Sequence, residues 1–383
     1  MNRQNPEVLV LGGGITGMAA AYLHWHYNSN TKVTIVTNEL GGEYFSGGLK
    51  YIHDTPATRK FITDLGFKPK VKKVNGALLQ QFGILPYPEC FLRENDQKRN
   101  FIQRSYWQKT RPETNIAFGS HCMNNPYANG EQLALEFDQE MANNMLETIK
   151  TYHKVEIKSI DDGYLRDMMS PLYGSYEKEN VDFKWGKIIY TLPMQHLYNI
   201  VMNCGSGFRF IASNLIIFEV SLMDRANIWW DYLYVPYEED GEFHRLSLVP
   251  VYHKHHPNEI RGYKIQIEVN ANKYDINIDK RKLKTVELRD RVRYDFKKLN
   301  EKYFGLDHYV HCEKWEIIKG HFIDAPNMNC RNDFKKRLPK NIMLLGRYAQ
   351  WEKVSFHNVV KNIYKEVMDE KIYDRTIGSG VDW

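Results

Sequence analysis

Ten residues near the start, VLVLGGGITG at positions 8–17, constrain this chain more than any others. The apolar run 8–11 predicts a buried strand, and residues 15–27, small residues and helix formers, predict a helix. A second β-branched run, KVTIV at 32–36, supplies another strand, so the first 37 residues read as one βαβ unit. Gly12, Gly14 and Gly17 fall at its first turn in the spacing G-x-G-x-x-G. Each answers a separate need: Gly12 the tight turn, Gly14 close approach of the backbone to a ligand, Gly17 close packing of helix on strand. A pyrophosphate carries two negative charges, and a helix N-terminus offers free N–H groups to meet them. The unit therefore predicts a cradle for a dinucleotide. At the end of the second strand, where an acid for the ribose is usual, the chain has Thr37, then Asn38 and Glu39. Either Thr37 or Asn38 serves as a neutral ribose partner, or Glu39 reaches it from the loop.

With 383 residues the chain suits two intertwined domains. After Gly41 and Gly42 the pattern is irregular to about residue 130, as for an inserted, substrate-facing region. Residues 131–150 carry apolar side chains at helical spacing, and residues 154–160 read as the strand where the chain rejoins the first domain. A buried-type strand follows at 187–192 (KIIYTL), closed by Pro193. Residues 214–222, 232–235, 245–252 and 263–269 then read as an antiparallel sheet. A charged helix is expected over 283–300, a last apolar strand over 341–345, and a final helix over 357–369.

Composition narrows the class. The chain is 43% hydrophobic and 26% charged, as globular proteins are, and no segment approaches the ~20 apolar residues that cross a bilayer. Residues 1–7 are polar and hold no apolar stretch before a cleavage site, so a cytoplasmic location is expected. The cysteines, 5 in number, form no C-x-x-C pair, and His253, His255 and His256 read as exposed loop residues, so no metal site is expected. Neither G-x-S-x-G, H-E-x-x-H nor a P-loop is present. Net charge is only +5, but residues 92–111 interleave Lys98, Arg99 and Arg104 with Tyr106 and Trp107. That stretch is either an exposed basic loop or a nucleic-acid contact.

Several segments together resemble the glutathione-reductase-type flavoproteins, in the branch of the amine oxidases, protoporphyrinogen oxidase and UDP-galactopyranose mutase. Glu39-Leu40-Gly41-Gly42 matches the branch's Gly-Gly pair beside the cofactor, and NIMLLGRYAQ at 341–350 matches its late strand ending in Gly-Arg. Residues 187–193 resemble its crossover strand, and residues 230–245 a strand pair of its substrate domain. The resemblance implies an α/β protein: a Rossmann-like FAD-binding domain (1–50, 131–204 and 325–383) with an interleaved α+β substrate domain (51–130 and 205–324) built on an antiparallel sheet. It implies FAD held by Gly12, Gly14, Ile15, Thr16, Gly17, Thr37, Asn38, Gly41, Gly42, Val155, Thr191, Gly346, Arg347, Asn358 and Val359.

For chemistry the candidates are His53, Tyr234, Arg245, Tyr252, Trp351 and His357. Tyr234 and Tyr252 either face a substrate or pack as sheet aromatics. Arg245 either grips an anion or forms a salt bridge. His357 either acts through its ring or simply opens the last helix. His53 follows Gly47-Gly48, where mutase-like members have a flavin-side histidine. The resemblance implies an FAD-dependent oxidoreductase acting on a C–N bond of an amine. Its alternatives are a mutase-like isomerase on a nucleotide sugar and a viral-type flavoenzyme acting on an aminoacyl-modified thymidine in DNA. The partner is accordingly a small molecule or a modified base.

Overall fold

The computed structural model describes residues 7–41, 51–80, 83–86, 132–137, 139–170, 185–202, 210–225, 227–253, 256–270, 281–306, 309–310, 315–323, 328–352, 354–368, 370–374 and 377. The chain divides into two units, one of Met1–Val71, Ala134–Ile211 and Phe322–Trp383, the other of Lys72–Leu133 and Ala212–His321.

The first unit is built on a five-stranded parallel sheet. Its order is Ile342–Leu344, Lys187–Tyr190, β1 (Glu7–Leu11), β2 (Lys32–Thr37) and Lys154–Ile157. The uninterrupted apolar run of β1 follows from burial on both faces. Val8 and Val10 pack toward α1 (Ile15–Tyr27) and the helices Gln139–Tyr152 and Phe356–Val367, whereas Leu9 and Leu11 pack toward Met194–Met202. Central β1 pairs with β2 on one side and Lys187–Tyr190 on the other, so the glycine turn leaves the middle of the sheet.

Two expectations are corrected here. Residues 131–150 form a strand, Gln132–Glu136, followed by a helix, Gln139–Tyr152, because Leu133, Leu135 and Phe137 recur every second residue. Residues 51–71, expected in the substrate domain, belong to the first unit. Their helix Pro56–Asp64 is opened by a capping box between Thr55 and Thr58. Phe61 from that helix stacks on Phe137 and meets Phe356 edge-on, at 5.9 and 5.8 Å between ring centroids. Asp64 at its end accepts the hydroxyls of Tyr27 (2.7 Å) and Tyr364 (2.6 Å), which ties α1 to Phe356–Val367.

The second unit is a largely antiparallel eight-stranded sheet. Its order is Tyr309–Val310, Phe210–Leu222, His256–Asn270, Arg245–His253, Tyr232–Tyr234, Gly76–Gln80 and Gly83–Pro86, with Trp315–Ile323 also on Phe210–Leu222. Leu233, Leu246, Leu248, Ile265 and Ile267 form one apolar face against Leu288, Val292 and Phe296 of the helix Arg281–Leu299. The expected histidine loop is the end of a hairpin in which His253 pairs with His256. Among the described residues, no helix is long and apolar enough to cross a membrane.

Candidate functional site

The glycine turn is shaped by what surrounds each α-carbon. Gly12 has φ +104°, and a Cβ there would lie 2.3 Å from Thr191 Oγ1. A Cβ on Gly17 would lie 1.9 Å from the Gly12 carbonyl oxygen, so α1 touches the turn through bare backbone. A Cβ on Gly13, a position the spacing does not single out, would lie 2.7 Å from both the Glu39 carbonyl oxygen and Thr37 Oγ1. Gly14 is different. Among the described residues nothing lies within 4 Å of a Cβ placed there, so their packing makes no demand for glycine at this position.

Thr37 is not a ribose partner. Its hydroxyl accepts the amides of Gly13 (2.9 Å) and Glu39 (3.2 Å) and donates to the Glu39 carbonyl (2.7 Å). A hydroxyl has one hydrogen and two lone pairs, so these bonds exhaust it. Thr37 is a lock on the turn, buried and inward-facing. Asn38 Oδ1 accepts the amide of Ile160, while Glu39 is exposed at the lip of the turn. Thr191 likewise serves the turn, donating from Oγ1 to the Leu11 carbonyl at 2.7 Å. Gly41 returns to the cradle, its amide donating to the Gly13 carbonyl at 2.8 Å; Gly42 lies outside the described residues. Val155, partly buried, sits on an edge strand opposite Ile35.

The far end of the chain arrives at the same place. Gly346 has φ +91°, and a Cβ on it would lie 3.1 Å from Thr16 Cγ2, in the first turn of α1. Ile15, beside Thr16, is partly buried against the core, so its backbone is what the turn presents. Arg347 follows Gly346 with an exposed side chain that makes no hydrogen bond or ion pair among the described residues. Trp351, proposed for the substrate pocket, is instead a core residue 3% exposed. It holds φ +53°, a left-handed conformation costly for a bulky side chain, and its carbonyl accepts Arg331 Nη1 at 3.1 Å.

Both helices that the resemblance would set against a cofactor begin without a side-chain cap or an acid in their first turn: α1 after Gly14, and Phe356–Val367 after Ser355. Elsewhere in this unit Thr55 and Asp161 cap their helices in the ordinary way. Ser355 Oγ instead meets His357 Nδ1 at 2.8 Å. The amides of Asn358 and Val359 are spent on the Ser355 carbonyl, and the Val359 side chain is buried, so among the described residues the first-turn amide left open is that of Phe356. His53 and His357, far apart in sequence, meet edge to face with centroids 4.6 Å apart. Burial, reinforced by His357, lowers His53 to about 4, which keeps it a neutral proton acceptor at ordinary pH. Uncapped amides, the bare Gly14 surface and Arg347 together fit a dinucleotide's phosphates.

In the second unit, Tyr234 lies buried opposite Arg245. Arg245 is bound to Glu268, and although burial works to raise that carboxyl, Arg245 and His244 hold it at about 2. The Arg245 charge is thus compensated within the sheet and does not await an anion. The Tyr252 side chain lies outside the described residues; its backbone sits at a register shift in the strand. Lys98, Arg99, Arg104, Tyr106 and Trp107 also lie outside them.

No protein-family profile matches the chain, and no curated protein sequence does. Solved structures do. A protein of Exiguobacterium sp. 255-15 described as a protoporphyrinogen oxidase superposes with a TM-score of 0.54 at 11% identity, covering 97% of this chain and 99% of its own. Cyclohexylamine oxidase from Brevibacterium oxydans superposes at 0.53 with 12% identity, covering 95% and 99%. Identities this low speak to architecture alone. Over nearly its whole length the chain has the fold of these two oxidases, a Rossmann-like unit joined to an antiparallel-sheet unit.

Proposed function

We propose that this protein is an FAD-dependent oxidoreductase that oxidises the C–N bond of an amine-bearing substrate. One observation carries the reading: among the described residues glycine at position 14 has no steric reason, yet it opens an uncapped helix beside Gly346 and Arg347. The amine class is taken from cyclohexylamine oxidase, one of the two oxidases with this fold, and is what the titration below tests. In this reading the first-turn amides of α1 and the Arg347 guanidinium hold the pyrophosphate. With the Thr37 hydroxyl saturated, Glu39 is the ribose partner, reaching it from its exposed position after the strand. The helix beginning at Phe356 turns its first amide toward the flavin ring, and His53, neutral beside His357, takes up a proton there. Bound FAD supplies the hydride acceptor, at N5.

The test is to purify the protein, load it with FAD, and titrate it anaerobically with cyclohexylamine and related amines. Bleaching of the flavin followed by oxygen uptake is expected. Failure to take up FAD sinks the whole reading. Flavin that binds but is bleached by no amine sinks the substrate class. A nucleotide sugar turned over only after pre-reduction would favour an isomerase, and turnover of aminoacyl-modified thymidine in DNA would favour base modification.

A further inference from the structure

The sheet of the second unit has a second face, and it is polar although buried. Register places Tyr232 opposite Ser247, Ser247 opposite Gln266, and Gln266 opposite Glu219, while Tyr234, Arg245 and Glu268 form the neighbouring row. The side chains confirm the shared face: Arg245 binds Glu268 and lies over the Tyr232 ring, at 6.0 Å from its centroid. Glu219 accepts Lys264 Nζ at 2.9 Å and Gln266 Nε2 at 3.1 Å. Every charge here is therefore met by an opposite one, two carboxylates against two cations, with His244 also against Glu268. At the centre stands Ser247, 2% exposed, whose Oγ has no hydrogen-bond partner among the described residues.

A buried hydroxyl without a partner is costly, and natural interiors rarely keep one. We propose that Ser247 is a substrate-recognition residue, and that the group lying on this face is uncharged and hydrogen-bonding, such as a carboxamide, hydroxyl or ring carbonyl. A charged group arriving here would have to break one of the two internal ion pairs or remain buried without a counter-ion. A neutral acceptor or donor needs only the Ser247 hydroxyl, and the Tyr232 and Tyr234 rings offer it flat apolar contact. The inference rests on the flavoenzyme reading for what becomes of the ligand, but not for its binding.

Three matched probes test it on the full-length protein, with and without FAD: benzamide, benzoate and benzamidinium, a cation with no C–H beside nitrogen for a flavin to oxidise. Calorimetry is expected to show benzamide binding about tenfold or more tightly than either charged probe. Ser247→Ala is expected to weaken benzamide about tenfold, leave the FAD spectrum unchanged, and leave the melting temperature of the ligand-free protein equal or higher. A merely structural serine would instead lower that melting temperature. The proposal is overturned if benzamide does not bind, if a charged probe binds as well, or if Ser247→Ala leaves benzamide affinity unchanged. Because binding is read without FAD as well, failure here is distinguishable from failure to hold flavin.

Discussion

Replacing Gly14 with alanine separates the folding of the glycine turn from its ligand. Gly14 has φ −67° and ψ 177°, an extended conformation that alanine adopts freely. Among the described residues the added methyl meets nothing within 4 Å. Two small effects on stability oppose each other. Restricting the unfolded chain contributes about 0.4–1 kcal/mol, while alanine is a poorer N-cap than glycine by roughly the same amount. The ligand-free variant should therefore unfold within about 1 kcal/mol of the parent. FAD binding should suffer far more. A methyl between the α1 amides and the pyrophosphate lengthens charge-assisted hydrogen bonds worth about 1.5–3 kcal/mol each, and losing one or two weakens FAD about 10 to 10⁴-fold. The assay is thermal unfolding without FAD beside a titration followed by flavin fluorescence. Unchanged FAD affinity in a folded Gly14→Ala protein would refute the placement of the phosphates. Gly17→Ala is the control, since its Cβ would strike the Gly12 carbonyl and the fold itself should fail.

Thr37→Val keeps the shape of the lock and removes its hydroxyl, leaving two amides and a carbonyl of the turn unmet; unfolding should show a loss of about 2–4 kcal/mol even without FAD. Glu39→Gln, at an exposed position, should leave the melting temperature unchanged and weaken FAD about tenfold. Burial, with Lys187 and His153 adding to it, lowers His24 from 6.5 to about 4. A base with a depressed folded value gives full stability above its unfolded value. Stability should therefore fall by about 3 kcal/mol from this group as pH drops from 6.5 to about 4, and His24→Phe should flatten that part of the unfolding profile. Arg245→Met strands the Glu268 carboxylate in the sheet and should cost about 3–5 kcal/mol in denaturant unfolding at neutral pH, less once acid neutralises Glu268.

The sequence by itself determined the βαβ unit and its glycine turn, because strand, turn and helix there are fixed by residues close together in the chain. It also made the late Gly346-Arg347 pair visible as a resemblance. Residues whose roles are set by distant partners were less legible. Thr37 looked like a ribose ligand until its hydroxyl was seen bonded to Gly13, and Trp351 looked like a pocket aromatic until it proved to be core. Arg245 alone left an anion grip and a salt bridge equally open, and Glu268, on the next strand, supplies the salt bridge. Ser247 gave no signal at all, since an unmet hydroxyl is a property of its surroundings. Only the tertiary structure decided that Thr16 and Gly346, and His53 and His357, would meet. Periodicity reports local geometry, whereas whether a polar group is satisfied depends on contacts that folding alone creates.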